Sequence, residues 1–290
     1  MKQFYAKDVK PTVRTVKCRD KQLVIGKKTL IMGILNITPD SFSDGGRFNS
    51  LDAAVARAEE MVRQGADLID IGGESTRPGY VPVSNEEEIS RIVPVIEAVS
   101  QTVDVPISVD TYKAEVAEAA LKAGAHIIND IWGLKHDQKM AATAAQYGAA
   151  VVLMHNRKEA RYDELMSDVA ADLRESIRLA HEAGIADDQI ILDPGIGFAK
   201  TIQDNYQVMN HLSEIAALGY PVLLGTSRKS MIWKTLDLPT DQIVEGTIAT
   251  VVMGLLQGCS IMRVHDVEEV SKACRLMDAI VRAGGGNDDG

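Results

Sequence analysis

A chain of 290 residues with 46% hydrophobic, 25% charged and only 4% aromatic residues has enough apolar material for a sizeable core, which excludes a disordered or fibrous polypeptide. A net charge of −10 without any Lys/Arg-rich run argues against nucleic acid or an anionic membrane as partner, and leaves small-molecule chemistry as the expectation. Cys18, Cys259 and Cys274 are too few and too scattered for a disulfide framework or a zinc site, and the odd number fits a reducing compartment.

Residues 1–28 mix charged and short apolar stretches without a signal-peptide core, and the longest apolar run, 248–256, is far below the roughly 20 residues that span a bilayer, so a cytoplasmic location is expected. This extension is expected to form a short hairpin at the bottom of the domain that follows. A strand at 29–36 (TLIMGILN) leads into a long loop, 36–50, and a helix at 51–64. QGADLIDIGG (64–73) then shows a recurring unit: a helix ends at Gly, a short apolar strand follows, and a polar residue closes it. A second long loop, 72–84, ends at Ser84, which has Glu87 three residues on as a capping-box spacing for a helix at 85–100. The strand PISVD (106–110) precedes a helix at 112–123, for which Asp110 or Thr111 is placed as the cap. The unit returns in KAGAHIINDIWG (122–133), YGAAVVLMHN (147–156), DDQIILDPG (187–195), LGYPVLLGTSRK (218–229) and QGCSIMRVHD (257–266). Helical patterns lie between these at 138–147, 163–183, 203–217 and 241–257, and a last one covers 267–283. Gly65, Gly124, Gly148 and Gly258 are placed as left-handed helix ends. Eight βα units whose strands are continuous apolar runs predict an α/β fold, a (β/α)8 TIM barrel, as a single domain over 29–284 with a disordered tail at 285–290. The alternative, an open doubly wound sheet, lacks its G-x-G-x-x-G after the first strand.

A barrel carries its chemistry at the C-terminal ends of its strands. Those ends are Asn36, Asp70, Asp110, Asn129 with Asp130, His155 with Asn156, Asp193, the run ending at Lys229, and Arg263 with His265. Loops 36–50 and 72–84 are too long for simple connectors, and Gly45 and Gly46 make the first a candidate lid. No HExxH, GxSxG, Walker A or CxxC motif is present, so the site is read by charge. Asp110, Asn129 and Asp193 form an acceptor-rich sector suited to a heterocycle with several N–H donors. Arg263, His265 and Arg77 form a sector suited to an anion such as a diphosphate, and Lys229 lies between the two in strand order. A lone buried carboxylate paired to Lys229 is the structural alternative.

The strings MGILNITPDSFSDGG (32–46), GGESTRPG (72–79), SVDTYKAEVA (108–117), INDIWG (128–133), LDPGIGFAK (192–200), GTSRKS (225–230) and RVHDV (263–267) resemble, in the same order, those of the dihydropteroate synthase family of pterin-binding enzymes. The resemblance covers essentially the whole barrel. It implies a transferase of folate biosynthesis that joins 6-hydroxymethyl-7,8-dihydropterin diphosphate to p-aminobenzoate, with Mg2+ as cofactor and a homodimer as the assembly, its interface helix at 243–259. Carried over residue by residue, it gives the pterin ring to Asp110, Asn129, Ile131, Met154, Asp193, Gly225 and Lys229. The diphosphate falls to Asn36, Arg77, Arg263 and His265, with Asn36 also a metal ligand. The p-aminobenzoate site draws on Phe42, Thr76, Pro78, Phe198, Lys229 and Ser230. Asp40, Lys229, Arg263 and His265 are the implied catalytic group, in a mechanism where diphosphate leaves before the amine attacks and no protein nucleophile is needed. Met231, Trp233 and Ile248 depart from the family pattern near Ser230, where p-aminobenzoate analogues such as sulfonamides would bind. A pterin-dependent methyltransferase would share the barrel and the carboxylates but gives no reason for the two long loops.

Overall fold

A computed structural model of the protein describes residues 13–37, 47–74 and 82–284. Two short strands, β1 (Arg14–Cys18) and β2 (Lys21–Ile25), pair antiparallel through a tight turn in which Arg19 takes a positive φ of 60°. The barrel follows as β3 (Leu30–Asn36), β4 (Leu68–Gly72), β5 (Ile107–Asp110), β6 (Ile127–Asp130), β7 (Ala150–Met154), β8 (Ile190–Asp193), β9 (Leu223–Leu224) and β10 (Ile261–Val264). These strands are hydrogen-bonded in parallel, with β10 lying between β3 and β9. A parallel bridge from Leu192 to Val222 joins β8 to the segment entering β9 and closes the (β/α)8 TIM barrel.

Both faces of each strand are covered, so nearly every strand residue is buried, and the period of two decides which side chains point inward. The inward residues change character along the strand. Near the start they are apolar: Met32, Leu68, Ile127, Ala150, Val152, Ile191, Leu223 and Ile261 form one cluster, which Val16, Cys18, Leu23 and Ile25 of the hairpin cover from below. Two residues further on, the same inward face carries Asp70, Asn129, Asp193 and Arg263. The interior is therefore a dry floor under a polar mouth.

The outer ring begins with α1 (Arg47–Gln64), α2 (Asn85–Thr102), α3 (Ala114–Lys122), α4 (Met140–Tyr147) and α5 (Leu165–Glu182). It continues with α6 (Ile202–Asn210), α7 (Leu212–Ala216), α8 (Ser230–Leu236), α9 (Val244–Leu256) and α10 (Val267–Gly284). Their apolar faces and the outward strand residues make the larger core cluster. Gly65, Gly124, Gly148 and Gly258 all take positive φ. Ser84 Oγ accepts the Glu87 N–H at 3.2 Å, the capping contact read from the sequence. Three local expectations are corrected. The helix expected at 203–217 breaks at His211, whose ψ of 25° leaves the helical ladder, into α6 and α7. Helix α8 was not expected, because seven residues are too few to show a period. Helix α3 starts at Ala114 and not at 112, since its first N–H is capped by the Asp137 carboxylate from the next βα unit at 2.9 Å. Among the described residues no helix is long and apolar enough to cross a membrane.

Candidate active site

The ladder register places the rim. Asn36 pairs with Gly72, Gly72 with Asp110 and Asp110 with Asn129, while Met154 pairs with Asp193 on the far side. Arg263, from β10, reaches between these strands. Its Nε donates to Asp70 Oδ2 and its Nη2 to Asp110 Oδ2, both at 2.6 Å, and Asn129 Nδ2 also donates to Asp70 Oδ2 at 3.1 Å. The acidic and basic sectors read from the sequence are thus interleaved: the guanidinium assigned to the anion side lies within the acidic sector. The cause is electrostatic, since Asp70 is fully buried and a buried carboxylate needs a cation or donors beside it. The charge of Lys229 also acts on Asp110 and Asp193. Arg263 Nη1 has no hydrogen-bond partner among the described residues, so one arm of the guanidinium remains for a ligand.

One oxygen of each of these carboxylates, Asp70 Oδ1 and Asp110 Oδ1, is buried without a partner among the described residues. Burial raises the pKa of Asp110 to about 7, with Arg263 as the largest opposing influence. Burial acts to lower that of Arg263, yet Asp70 and Asp110 hold it well above its usual value. Burial also raises Asp193, although the Gly195 N–H at 2.7 Å and the charges of Lys229, Arg263 and Lys200 oppose it. A set of buried acceptors is what a donor-rich ring would satisfy.

Around this centre, Tyr112, Ile131 and Met154 form a small apolar cluster against which Trp132 and Phe198 pack. The Phe198 ring lies under the Lys229 ammonium, 4.1 Å from Nζ to the ring centroid. Gly225 lies beside both Arg263 and Asp193: a Cβ there would stand in ordinary contact, 3.9 Å from Arg263 and 4.0 Å from Asp193 Oδ2. The Asn36 amide oxygen and the Asp110 side chain both border Gly72, within 3.8 Å of where a Cβ there would stand. His265 sits one position out on the rim, with Nδ1 3.0 Å from Ser227 Oγ. Ser230 opens α8 directly after Lys229. Of the departures noted in sequence, Met231 is buried, while Trp233 and Ile248 are half-buried on α8 and α9. Asp40, Phe42, Thr76, Arg77 and Pro78 lie outside the described residues.

Sequence reading left Asp70 without a role, and it overlooked a second buried network beside the mouth. Lys113 Nζ donates to Glu74 Oε2 at 2.7 Å, Glu88 Oε2 at 2.8 Å and the Val83 carbonyl at 2.8 Å. Tyr112 donates its hydroxyl to Glu74 Oε1, and Val83 N–H donates to Glu74 Oε2. This ties Glu74 and Val83, near the two ends of the second loop, to the start of α3. The side chains of Glu74 and Glu88 are only 4% and 1% exposed, and burial raises the Glu88 pKa. Lys113→Met would strand both carboxylates, and a loss of about 3–5 kcal/mol in urea unfolding is expected.

The chain matches the family model described as "Pterin binding enzyme" over residues 32–265. It is 56% identical to the dihydropteroate synthase of Clostridium beijerinckii over 268 residues, 92% of this chain and 100% of that one. Among solved structures, the dihydropteroate synthase of Clostridium difficile in the presence of pteroic acid superposes with a TM-score of 0.87 at 52% identity, covering 89% of this chain and 98% of that one. The Xanthomonas albilineans enzyme with 4-aminobenzoic acid gives 0.89 at 40% identity, with 93% and 99% covered. With the match running from β3 to the rim residue His265, and so through every strand that contributes to the mouth, this chain belongs to the pterin binding enzyme family.

Proposed function

We propose that this protein carries out the dihydropteroate synthase reaction, condensing 6-hydroxymethyl-7,8-dihydropterin diphosphate with p-aminobenzoate to give 7,8-dihydropteroate and diphosphate. The observation that carries the reading is the cluster of buried acceptors at the mouth, Asp110, Asn129 and Asp193, with Arg263 set among them. The names of relatives at up to 56% identity, and structures of relatives with pteroic acid and 4-aminobenzoic acid, support it.

In this reading Asp110 and Asp193 accept from the ring N–H groups, and Asn129 offers both donor and acceptor. Ile131 and Met154 enclose the ring. Breaking the methylene C–O bond puts negative charge on the departing diphosphate, toward which Arg263 Nη1, His265 and Arg77 are assigned, each preorganised donor supplying about 3–4 kcal/mol to the transition state. The p-aminobenzoate nitrogen then bonds to the methylene carbon and loses a proton, beside Phe198, Lys229 and Ser230, with Phe42, Thr76, Pro78 and Asp40 from the two long loops.

Among the described residues no group of three or more His, Cys, Asp or Glu side chains is placed to hold a metal. The one assigned oxygen ligand is Asn36, and a single protein oxygen suits Mg2+ that arrives on a diphosphate and keeps most of its water. Bound there, the ion would offset charge on the leaving group.

A homodimer through the outer face of α9 completes the proposal. One face of this helix packs on the barrel through Thr247, Val251 and Gly254. The flank of the helix, with Gly246, Thr250 and Met253, borders an apolar groove of about 740 Å³ shared with α6 and α8. Light scattering at micromolar concentration is expected to give twice the 31.4 kDa chain mass.

The deciding experiment is direct. Purified protein with the pterin diphosphate, p-aminobenzoate and Mg2+ should release diphosphate in step with dihydropteroate, and should release none when p-aminobenzoate is omitted. No release in the complete mixture would sink the reading.

A further inference from the structure

The segment from Asp193 to Lys200 leaves β8, passes the mouth and enters α6, and it is not a self-supporting turn. Gly195, Gly197 and Ala199 all have positive φ, at 68°, 82° and 44°. Ala199 adopts that conformation at a steric cost. A Cβ on Gly195 would fall 1.9 Å from the His155 carbonyl oxygen, so this backbone is pressed directly against the end of β7.

What holds it is a half-buried side chain from its own far end. Lys200 Nζ sits 2.8 Å from His155 Nδ1, 2.9 Å from the Gly195 carbonyl and 3.1 Å from the Phe198 carbonyl. Three acceptors for three ammonium protons is a complete set. His155 is fully buried and its pKa is driven down to about 3, chiefly by burial and then by the Lys200 charge, so it is neutral. Its Nε2 faces Asp172 Oδ2 at 3.1 Å, an arrangement that puts the proton on Nε2 and leaves Nδ1 to accept from Lys200. Asp172 is fixed in turn by Arg157 Nε at 2.6 Å. Two further bonds seat the same segment: Tyr162 donates to the Ala199 carbonyl at 2.6 Å, and Gly197 N–H to Asn205 Oδ1 at 2.7 Å.

We infer that Lys200 is a positioning residue for the p-aminobenzoate half of the site, holding the Phe198 backbone so that its ring stays under the Lys229 ammonium. The inference rests on the reaction proposed above and on the assignment of Phe198 to that substrate. Asp193 depends on Lys200 far less, because it is anchored by the β8 ladder and by its own bond to Gly195 N–H. The pterin half should therefore stay in place when Lys200 is removed. Burial draws Lys200 down to about 7, with Lys229 and Arg157 acting the same way and Asp193 and Asp204 opposing, so the bonds are tested below that pH.

The test is a split between the two substrates in steady-state kinetics at pH 6.5. Lys200→Met, of similar length and without donors, should raise the KM for p-aminobenzoate about tenfold, the worth of one hydrogen bond to a charged group. Its KM for the pterin diphosphate should change less than about twofold. Tyr162→Phe removes only the bond to the Ala199 carbonyl and keeps the ring, so it should fold like the parent and show the same split at about threefold. If both KM values rise together, or neither moves in Tyr162→Phe, the inference is overturned. A parent protein that releases no diphosphate overturns the reaction and this inference with it, whereas an active parent with unsplit variants overturns the inference alone.

Discussion

Arg263→Lys should lower kcat/KM for the pterin diphosphate about 100-fold and Arg263→Ala about 1000-fold, the range seen for loss of one preorganised donor to a developing anion. The reason is geometric before it is catalytic. The guanidinium spans two strands, with Nε on Asp70 and Nη2 on Asp110, and only a planar fork with several fixed donors can do that and still aim Nη1 at a ligand. Lysine can satisfy one carboxylate or the leaving group, not all three. Alanine leaves Asp70 and Asp110 buried together without the guanidinium that bridges them, and about 3–5 kcal/mol of folding stability should be lost in addition. Both losses can be read on one preparation, kcat/KM by diphosphate release and stability by urea unfolding. A lysine variant within tenfold of the parent would remove Arg263 from the leaving-group chemistry and leave it a purely structural bridge.

The barrel was readable from the chain because each βα unit repeats a local chemistry: a helix stopped by Gly, a run of apolar residues buried on both faces, and a polar residue at the end. What escaped was set by partners distant in sequence. The start of α3 is fixed by Asp137, 23 residues after Ala114 and on the next unit. The break between α6 and α7 comes from a single backbone turn at His211, which propensity does not mark. In β9 only Leu223 and Leu224 form a ladder, while Val222 adds a single bridge to Leu192 and Pro221, with no N–H to donate, only accepts from Leu192 N–H.

The site was legible to the same extent. Period two within a strand carries Asp110, Asn129, Asp193 and Arg263 to the mouth once their strands are known. It does not say which opposite charges meet across the barrel. Arg263 and Asp70 are 193 residues apart, and no local pattern distinguishes an arginine meant for a phosphate from one that must also neutralise two carboxylates. Glu88 reads as the third of an acidic trio that favours a helix N-terminus, which is a solvated role. It is buried only because Lys113 comes in from α3 to meet it. Polar residue types were therefore visible, while their pairing was not.

Asp193→Asn separates binding from folding most cleanly. The amide oxygen of the variant can still accept the Gly195 N–H, so the turn after β8 should keep its shape. The amide nitrogen, however, would present a donor where Asp193 presents an acceptor, and in the proposed complex that donor meets a ring N–H. Two charge-assisted bonds are lost or weakened, a cost of about 3 kcal/mol, which corresponds to about 100-fold in the dissociation constant of the pterin diphosphate. Stability should move the other way. The Asp193 pKa is raised in the folded protein, chiefly by burial, so ionising this carboxylate opposes folding at every pH above its unfolded value of about 3.9. The neutral amide carries no such penalty, and at pH 8 the variant should melt no lower than the parent. Calorimetric titration and thermal unfolding at that pH give the two numbers. Weak binding with an undiminished melting temperature identifies Asp193 as a residue retained for its ligand against the interest of the fold, and a variant that binds normally would take the ring out of the acceptor sector altogether.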